Sequence, residues 1–151
     1  MSSSKIRRIT KELEKYENEV LSKKLQCYLV DSFDNTLIFI KFIPQDYLIN
    51  IVLKYPQEYP WRSPKITING HGYMELLQIR DMWKLKYIKS KCLCCSSLMC
   101  ISNWSPTKDI NDILTEVCNN LDIKLKFNEI RHVKKIKYKY LNPDIPIEEF
   151  L

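Results

Sequence analysis

The sequence lacks several features that mark large functional classes. Of its 151 residues only Gly70 and Gly72 are glycine, which excludes glycine-rich phosphate loops and with them most nucleotide-binding motifs. Apolar runs such as residues 37–40 are interrupted by charge within a few positions, far short of the roughly 20 apolar residues of a spanning helix. The N-terminal serines lead directly into a charged amphipathic stretch, so we expect no secretory signal.

The remaining composition is that of a soluble globular chain, with 45% hydrophobic and 28% charged residues. We expect one domain spanning residues 1–151. The 24 basic and 18 acidic residues give a net charge of +6, and much of the excess lies between Lys124 and Lys139. A solvated helix face is the commoner explanation of such a run, and nucleic acid is the lesser one.

Cysteine is used unevenly along the chain. The six cysteines are Cys27, Cys92, Cys94, Cys95, Cys100 and Cys118, and four of them fall within nine residues. Without a secretory signal we expect a reducing, cytoplasmic setting, so the cluster is either a metal site or the position of a reactive thiol. Four ligands so close together, two of them adjacent, fit a zinc tetrahedron poorly, and we expect no metal and no cofactor. Cys27 and Cys118 are expected to be core residues.

Periodicity predicts an α+β fold. Apolar residues at steps of three and four predict a first helix that ends near residues 21–22 and exposes Lys5 and Glu12. β-Branched and aromatic runs separated by short turns then predict a four-stranded antiparallel meander. A helix after Thr107 is expected to end at Asn119 and Asn120, followed by a basic helix over residues 127–140. The strands are predicted over residues 25–30, 36–43, 47–54 and 65–68.

Two motifs resemble ubiquitin-conjugating enzymes. Residues 55–68 read YPQEYPWRSPKITI, similar to the family's Phe-Pro-x-x-Tyr-Pro-Phe-x-Pro-Pro-x-Val-x-Phe. Trp104-Ser105-Pro106-Thr107, followed by an apolar-periodic helix, is similar to the family's Trp-Ser-Pro-Ala and its next helix. The resemblance covers a core of about residues 4–121 and leaves 122–151 as a basic extension.

The resemblance implies a cysteine thiolate that accepts ubiquitin from an activating enzyme and passes it to a substrate lysine or a ligase. In the family this cysteine usually lies eight residues before the tryptophan, where this chain has Ser96. One inserted residue makes Cys95 the match, with Leu98 and Met99 as the following apolar pair. Cys92 is the runner-up because Cys92-Leu93 copies the family's Cys-Leu, and Cys94 is third.

The family's His-Pro-Asn motif is missing from the chain. Its asparagine is thought to stabilise the tetrahedral oxyanion or the local loop. Loss of one oxyanion donor typically slows a reaction by about 10²–10³-fold. On proximity in sequence, Asn103 and Ser96 are the candidate substitutes, whereas His71 is expected to be a turn residue. The enzyme therefore has a substitute donor, is slow, or is an inactive variant.

The resemblance also implies two docking surfaces. Trp61, Ser105 and Pro106 correspond to the surface that ligases grip, although a buried core position for Trp61 is equally compatible with the sequence. The basic side chains Arg7, Arg8 and Lys11 correspond to the helix face that docks the activating enzyme.

Two alternatives stay open. The first is a catalytically inactive variant of the same fold that binds ubiquitin or a ligase. The second is a zinc protein that binds nucleic acid, for which the cysteines and the basic tail would account. Under the favoured interpretation we expect neither a membrane nor a nucleic-acid partner. The alanine-free, lysine-rich composition is typical of an AT-rich genome and suggests a large DNA virus, which would place the protein in the host cytoplasm.

Overall fold

The computed structural model describes residues 3–18, 21–43, 47–89 and 93–141 of the chain. They form an α+β fold, as the sequence predicted. No helix among them is long and apolar enough to cross a bilayer. The helices are α1 (Ser3–Asn18), α2 (Leu21–Leu25), α3 (Tyr73–Leu76), α4 (Met82–Ile88) and α5 (Ile110–Leu141). The strands are β1 (Cys27–Phe33), β2 (Thr36–Ile43), β3 (Tyr47–Lys54), β4 (Lys65–Ile68) and β5 (His71–Gly72).

The chain divides into two compact units, residues 1–118 and residues 119–151, and the division falls within α5. The first unit contains the sheet, the four shorter helices and the beginning of α5. The second contains the rest of α5. The single domain with a core over residues 4–121 stays a prediction.

The sheet is an antiparallel meander in which the five strands lie side by side in chain order. The predicted bounds of β2, β3 and β4 are confirmed. The structure adds β5, because Asn69 and Gly70 both have positive φ, 49° and 83°, and form a two-residue turn that sends the chain back along β4. His71 therefore begins a short strand beside the turn.

The first strand is displaced from its predicted range of residues 25–30. Leu25 ends α2, and Gln26 follows with a φ of 52°, so the strand begins only at Cys27. It then runs on to Phe33, which pairs with Thr36, because the hairpin turn needs only two residues.

The core lies against one face of the sheet. Register pairs Leu37 with Leu53 and Phe39 with Ile51, and all four side chains are buried. Helix α1 packs on this face through Tyr16, whose ring meets that of Phe39 edge-on at 5.8 Å. Cys27 and Cys118 are buried, as predicted, and their thiols hydrogen-bond to each other. The beginning of α5 contributes Ile110, Ile113, Leu114 and Val117, all fully buried.

The prediction that Lys5 and Glu12 lie on the exposed face of α1 is wrong, since both are buried. Of the apolar side chains of α1, Tyr16 is buried, Ile9 and Leu13 are half-buried, and Ile6 is 47% exposed. Periodicity within the helix does not reveal the polar partners that distant residues supply to Lys5 and Glu12. Lys5 Nζ lies 3.5 Å from Asn35 Oδ1, and the Tyr59 hydroxyl donates to the Glu12 carboxylate. These partners make the burial of two charged residues tolerable.

Helix α5 is continuous from Ile110 to Leu141, so the predicted end at Asn119 and Asn120 and the separate helix over residues 127–140 are wrong. Asparagine costs only some tenths of a kcal/mol in a helix interior, and neither glycine nor proline occurs between Thr107 and Leu141. The helix begins at a reciprocal cap: the Asp112 amide donates to Asp109 Oδ1 at 3.1 Å, and the Asp109 amide donates to Asp112 Oδ2 at 3.0 Å.

Candidate active site

The predicted nucleophile Cys95 lies on a single 3₁₀ turn, Cys94–Ser96, and its exposed thiol forms no disulfide. Its neighbour Cys94 is disulfide-bonded, and the two sulfur atoms are 4.0 Å apart. The runner-up Cys92 lies outside the described residues. A thiol that attacks a second protein's thioester must be accessible and outside a disulfide, and Cys95 meets both requirements.

Cys100 is a second thiol in the same loop that forms no disulfide. The sequence resemblance does not point to Cys100 as a nucleophile. Its Sγ lies 3.2 Å from Ser102 Oγ. Hydrogen bonds with the side chain and backbone of Ser102 lower the pKa of the Cys100 thiol. Cys100 is therefore the rival that experiments on Cys95 must control for.

The side chain of Asn103 holds the turn around Cys95 in place. Its Nδ2 donates to the carbonyl oxygen of Cys95 at 2.8 Å and to that of Ser97 at 3.0 Å. Both amide hydrogens are thus engaged with the backbone. The family's asparagine is thought to stabilise either the oxyanion or the local loop. Asn103 fits the second role, because neither of its amide hydrogens is left to bind an oxyanion. The other candidate, Ser96, donates through Oγ to the Leu93 carbonyl at 3.2 Å.

A carboxylate on α5 anchors the segment that follows Cys95. Glu116 Oε2 accepts hydrogen bonds from the hydroxyls of Ser97 at 2.8 Å and Tyr73 at 2.7 Å, and Glu116 Oε1 accepts from the Leu98 amide at 2.5 Å. Ser97 Oγ in turn accepts from the Met99 amide at 3.1 Å. Glu116 therefore links the loop to α3 and α5. Sequence reasoning missed this residue, because its partners lie 18 to 43 positions away.

Trp104 joins the cysteine loop to the proline-rich segment. Its indole Nε1 donates to the Pro60 carbonyl at 2.9 Å, and its ring lies 6.3 Å from that of Tyr59. The backbone amide of Trp104 donates to the Cys100 carbonyl at 3.0 Å. The two motifs that carry the sequence resemblance are thus in direct contact.

The predicted ligase-binding residues are the chain neighbours of this contact. Trp61 directly follows the Pro60 carbonyl to which Trp104 is bonded, and Ser105 and Pro106 directly follow Trp104. The Trp61 side chain is 74% exposed, which settles its position in favour of the surface rather than the core. Ser105 and Pro106 are half-buried, and the Ser105 hydroxyl lies 2.9 Å from that of Thr107.

The three basic residues predicted to dock the activating enzyme divide into two kinds. Arg7 and Lys11 are exposed. Arg8 is half-buried, and its guanidinium donates to the carbonyls of Pro106 and, at 3.1 Å, of Lys108. Arg8 therefore connects α1 to the loop before α5. The three side chains line a cleft of about 590 Å³ together with Ser4, Glu12, Pro106, Thr107 and Asp109.

Glu12 lies beneath this basic face in a polar cluster. The Tyr59 hydroxyl donates to both carboxylate oxygens at 2.7 Å, and Arg8 Nε lies 3.8 Å from Oε1. Burial raises the pKa of Glu12 to about 7, against the lowering effects of Tyr59 and Arg8. The negative charges of Asp109 and Asp112 add to the increase. Glu12 is therefore a carboxyl group that titrates near neutral pH.

Within the described ranges, no three histidine, cysteine or acidic side chains come together as a metal site would require. His71 is exposed on β5. It is near the turn, as predicted, and its place in a strand pairs it with Ile68.

No protein-family model matches the chain, and no curated protein matches its sequence. Among solved structures, the chain is similar to the ubiquitin conjugating enzyme E2 UbcA1 from Agrocybe aegerita. The two chains are 18% identical, the match covers 78% of this chain and 82% of that one, and the TM-score is 0.49.

Proposed function

We propose that this protein is a ubiquitin-conjugating enzyme that carries ubiquitin as a thioester on Cys95. The observation on which the proposal chiefly rests is an exposed thiol, outside any disulfide, on a turn whose backbone is fixed by Asn103. The resemblance to ubiquitin-conjugating enzymes implies a nucleophilic cysteine near position 95. The contact between Trp104 and Pro60 joins the two motifs on which that resemblance depends.

The reaction consists of two acyl transfers. The Cys95 thiolate attacks the carbonyl carbon of the thioester between ubiquitin and the activating enzyme. The tetrahedral intermediate collapses, expels the activating enzyme's thiolate and leaves ubiquitin on Cys95 Sγ. A lysine amine or a ligase thiolate then attacks the new thioester and expels the Cys95 thiolate. An attacking amine also loses a proton.

We expect the described part of the loop to stabilise the oxyanion of the tetrahedral intermediate poorly. Both Asn103 amide hydrogens are engaged with carbonyl oxygens, so donating one to a tetrahedral intermediate requires breaking a loop bond. A missing oxyanion donor costs about 10²–10³-fold in rate. We therefore expect unassisted transfer to free lysine to be slow, and a ligase to be needed to complete the site.

The test is to incubate the protein with activating enzyme, ATP and ubiquitin, and to examine the products on a gel. We expect an adduct one ubiquitin heavier that disappears on treatment with a thiol reductant. Cys100→Ser is the matched control, because among the described residues of the loop it removes the thiol that could rival Cys95, and it should still form the adduct. The activating enzyme must be shown to charge another conjugating enzyme in the same assay. If this protein then forms no adduct at all, the catalytic proposal is rejected.

A second candidate, the inactive binding module, is favoured by the outer face of the sheet. Tyr28 and Phe42 are exposed there, and their rings meet at 5.8 Å, while Leu48 pairs with Phe42 and is also exposed. Contiguous exposed apolar side chains mark protein-binding surfaces. If no adduct forms, nuclear magnetic resonance titration with ubiquitin decides this candidate: shifts confined to Tyr28, Phe42 and Leu48 support it, and unchanged spectra reject it.

A further inference from the structure

The C-terminal part of α5 exposes an apolar stripe. Ile130, Val133, Ile136 and Tyr140 recur at steps of three and four, which places them on one side of a helix, and Leu141 lies beside Tyr140. The exposed fractions are 48% for Val133, 55% for Ile136, 84% for Tyr140 and 75% for Leu141. Apolar surface of this extent on an otherwise charged helix indicates a binding surface.

Positive charge accompanies the stripe. Residues 130–141 contain no acidic side chain and five basic ones, which are Arg131, Lys134, Lys135, Lys137 and Lys139. Lys137 lies four positions after Val133 and four before Leu141, so it interrupts the stripe, and its aliphatic stem can lie along the apolar surface while its ammonium group stays outside. We call residues 130–141 the basic amphipathic segment.

The combination of charge and apolar surface decides between possible occupants. A second copy of the segment would bring five positive charges against five, which opposes association. Nucleic acid would neutralise the charge but leave Ile136 and Val133 without an apolar partner. An anionic lipid surface provides both phosphate charge for the lysines and an acyl boundary for the stripe.

We propose that the basic amphipathic segment binds anionic membrane surfaces, lying along the headgroup region. Twelve helical residues span about 18 Å, enough to lie in the interface and too short to cross the bilayer. Tyr140, at the exposed end of the stripe, has the amphipathic ring that is enriched at membrane interfaces. The expectation of no membrane partner rested on the absence of a spanning segment, whereas this surface would bind without one. The proposal is independent of the chemistry at Cys95.

The test is flotation of the full chain with vesicles of phosphatidylcholine, with and without phosphatidylserine. We expect binding only to the anionic vesicles, weakened by added salt. The double variant Val133→Gln and Ile136→Gln keeps the charge and uses a good helix former, and it should lose binding. Arg131→Gln with Lys137→Gln should weaken binding about 30-fold, since each basic residue is worth about fivefold near such a surface.

The matched control is Lys23→Gln with Lys24→Gln, which removes the same charge from α2 and should bind as the parent does. Cys95→Ser should also bind unchanged, so the result is separate from that of the charging experiment. Circular dichroism checks that each variant keeps its helix. Equal binding by the Val133 and Ile136 variant overturns the proposal. Two other results would also overturn it. One is binding of the full chain to duplex DNA but not to anionic vesicles, and the other is a parent protein that is dimeric in solution while the Val133 and Ile136 variant is monomeric.

Discussion

Glu12 shows how one buried side chain couples the fold to pH. Its carboxylate accepts from Tyr59 and lies near Arg8, yet burial outweighs both and raises its pKa from 4.5 to about 7. A carboxyl whose pKa is higher in the folded than in the unfolded state stabilises the fold most at low pH. That contribution is complete below pH 4.5 and declines as pH rises through 7.

We therefore predict that Glu12→Gln flattens the pH dependence of stability. Between pH 4.5 and pH 8 the parent should lose up to about 3 kcal/mol of unfolding free energy through Glu12, a loss that the variant escapes. Urea unfolding across this range measures it. Glu14→Gln is the matched control, an exposed glutamate on the same helix. A parallel pH profile for Glu12→Gln and the parent would contradict the assignment.

Trp61 provides the second test at the scale of one residue. Because its side chain is 74% exposed, Trp61→Ala should leave the melting temperature and self-charging close to those of the parent. Ligase-dependent discharge of ubiquitin should weaken by about 2 kcal/mol, the loss typical of an aromatic hot spot. Met82→Ala is the control, since Met82 is nearly as exposed and lies on α4. Equal discharge by both variants would remove Trp61 from the ligase surface.

At the scale of elements, the loop from Leu93 to Trp104 has little regular structure and depends on side chains for its shape. Asn103 fixes the turn at Cys95, and Glu116 fixes the segment that follows. Glu116 is a positioning residue. Its described hydrogen bonds are to Tyr73, Ser97 and Leu98, so it can act on Cys95 only through the loop backbone.

We predict that Glu116→Gln loosens this loop. The amide can accept through only one oxygen, so the three donors Tyr73, Ser97 and Leu98 cannot all remain satisfied. Losing one such bond costs about 1–3 kcal/mol, so exchange of the Leu98 amide hydrogen should accelerate by about 5- to 150-fold. Glu129→Gln, on the same helix, should leave it unchanged. Unaltered protection of Leu98 in Glu116→Gln would show that the loop is held by other contacts.

The basic face of α1 combines the exposed Arg7 and Lys11, which we propose dock the activating enzyme, with Arg8, which is bonded to the loop before α5. Reversing Arg7 and Lys11 to glutamate should slow charging by the activating enzyme, most strongly at low salt, and leave the melting temperature unchanged. Arg8→Glu should instead lower the melting temperature, because it removes donors to the Pro106 and Lys108 carbonyls. Charging rates and thermal melts of the two variants decide this. A salt-independent rate for the first variant would contradict the docking role.

At the scale of the whole molecule, the sequence predicted those parts of the fold that local patterns determine. The ranges of β2, β3 and β4 follow from β-branched runs bounded by turn residues. The continuity of α5 was missed because a pair of asparagines resembles a helix end but does not force one. The burial of Lys5 and Glu12 depends on Asn35 and Tyr59, which no periodicity within α1 can indicate.

In the candidate site, too, features that depend on nearby residues could be predicted and features that depend on distant residues could not. Cys95 was predicted from a motif of nearby residues, and its exposure is what a nucleophile would need, while its role stays a prediction. Glu116 and the contact between Trp104 and Pro60 join positions far apart in the chain. Cys100 is distinguished only by its hydrogen bonds with Ser102, which composition does not reveal.

Replacement of the nucleophile by serine tests the central proposal most directly. Cys95→Ser, charged with activating enzyme, ATP and ubiquitin, should form an adduct that resists thiol reductant, because an oxyester is attacked far less readily than a thioester. Peptide mapping should locate ubiquitin on residue 95, while Cys92→Ser and Cys100→Ser retain the reductant-sensitive adduct of the parent. A Cys95→Ser variant that still forms a reductant-sensitive adduct would contradict the account and assign the reaction to another cysteine.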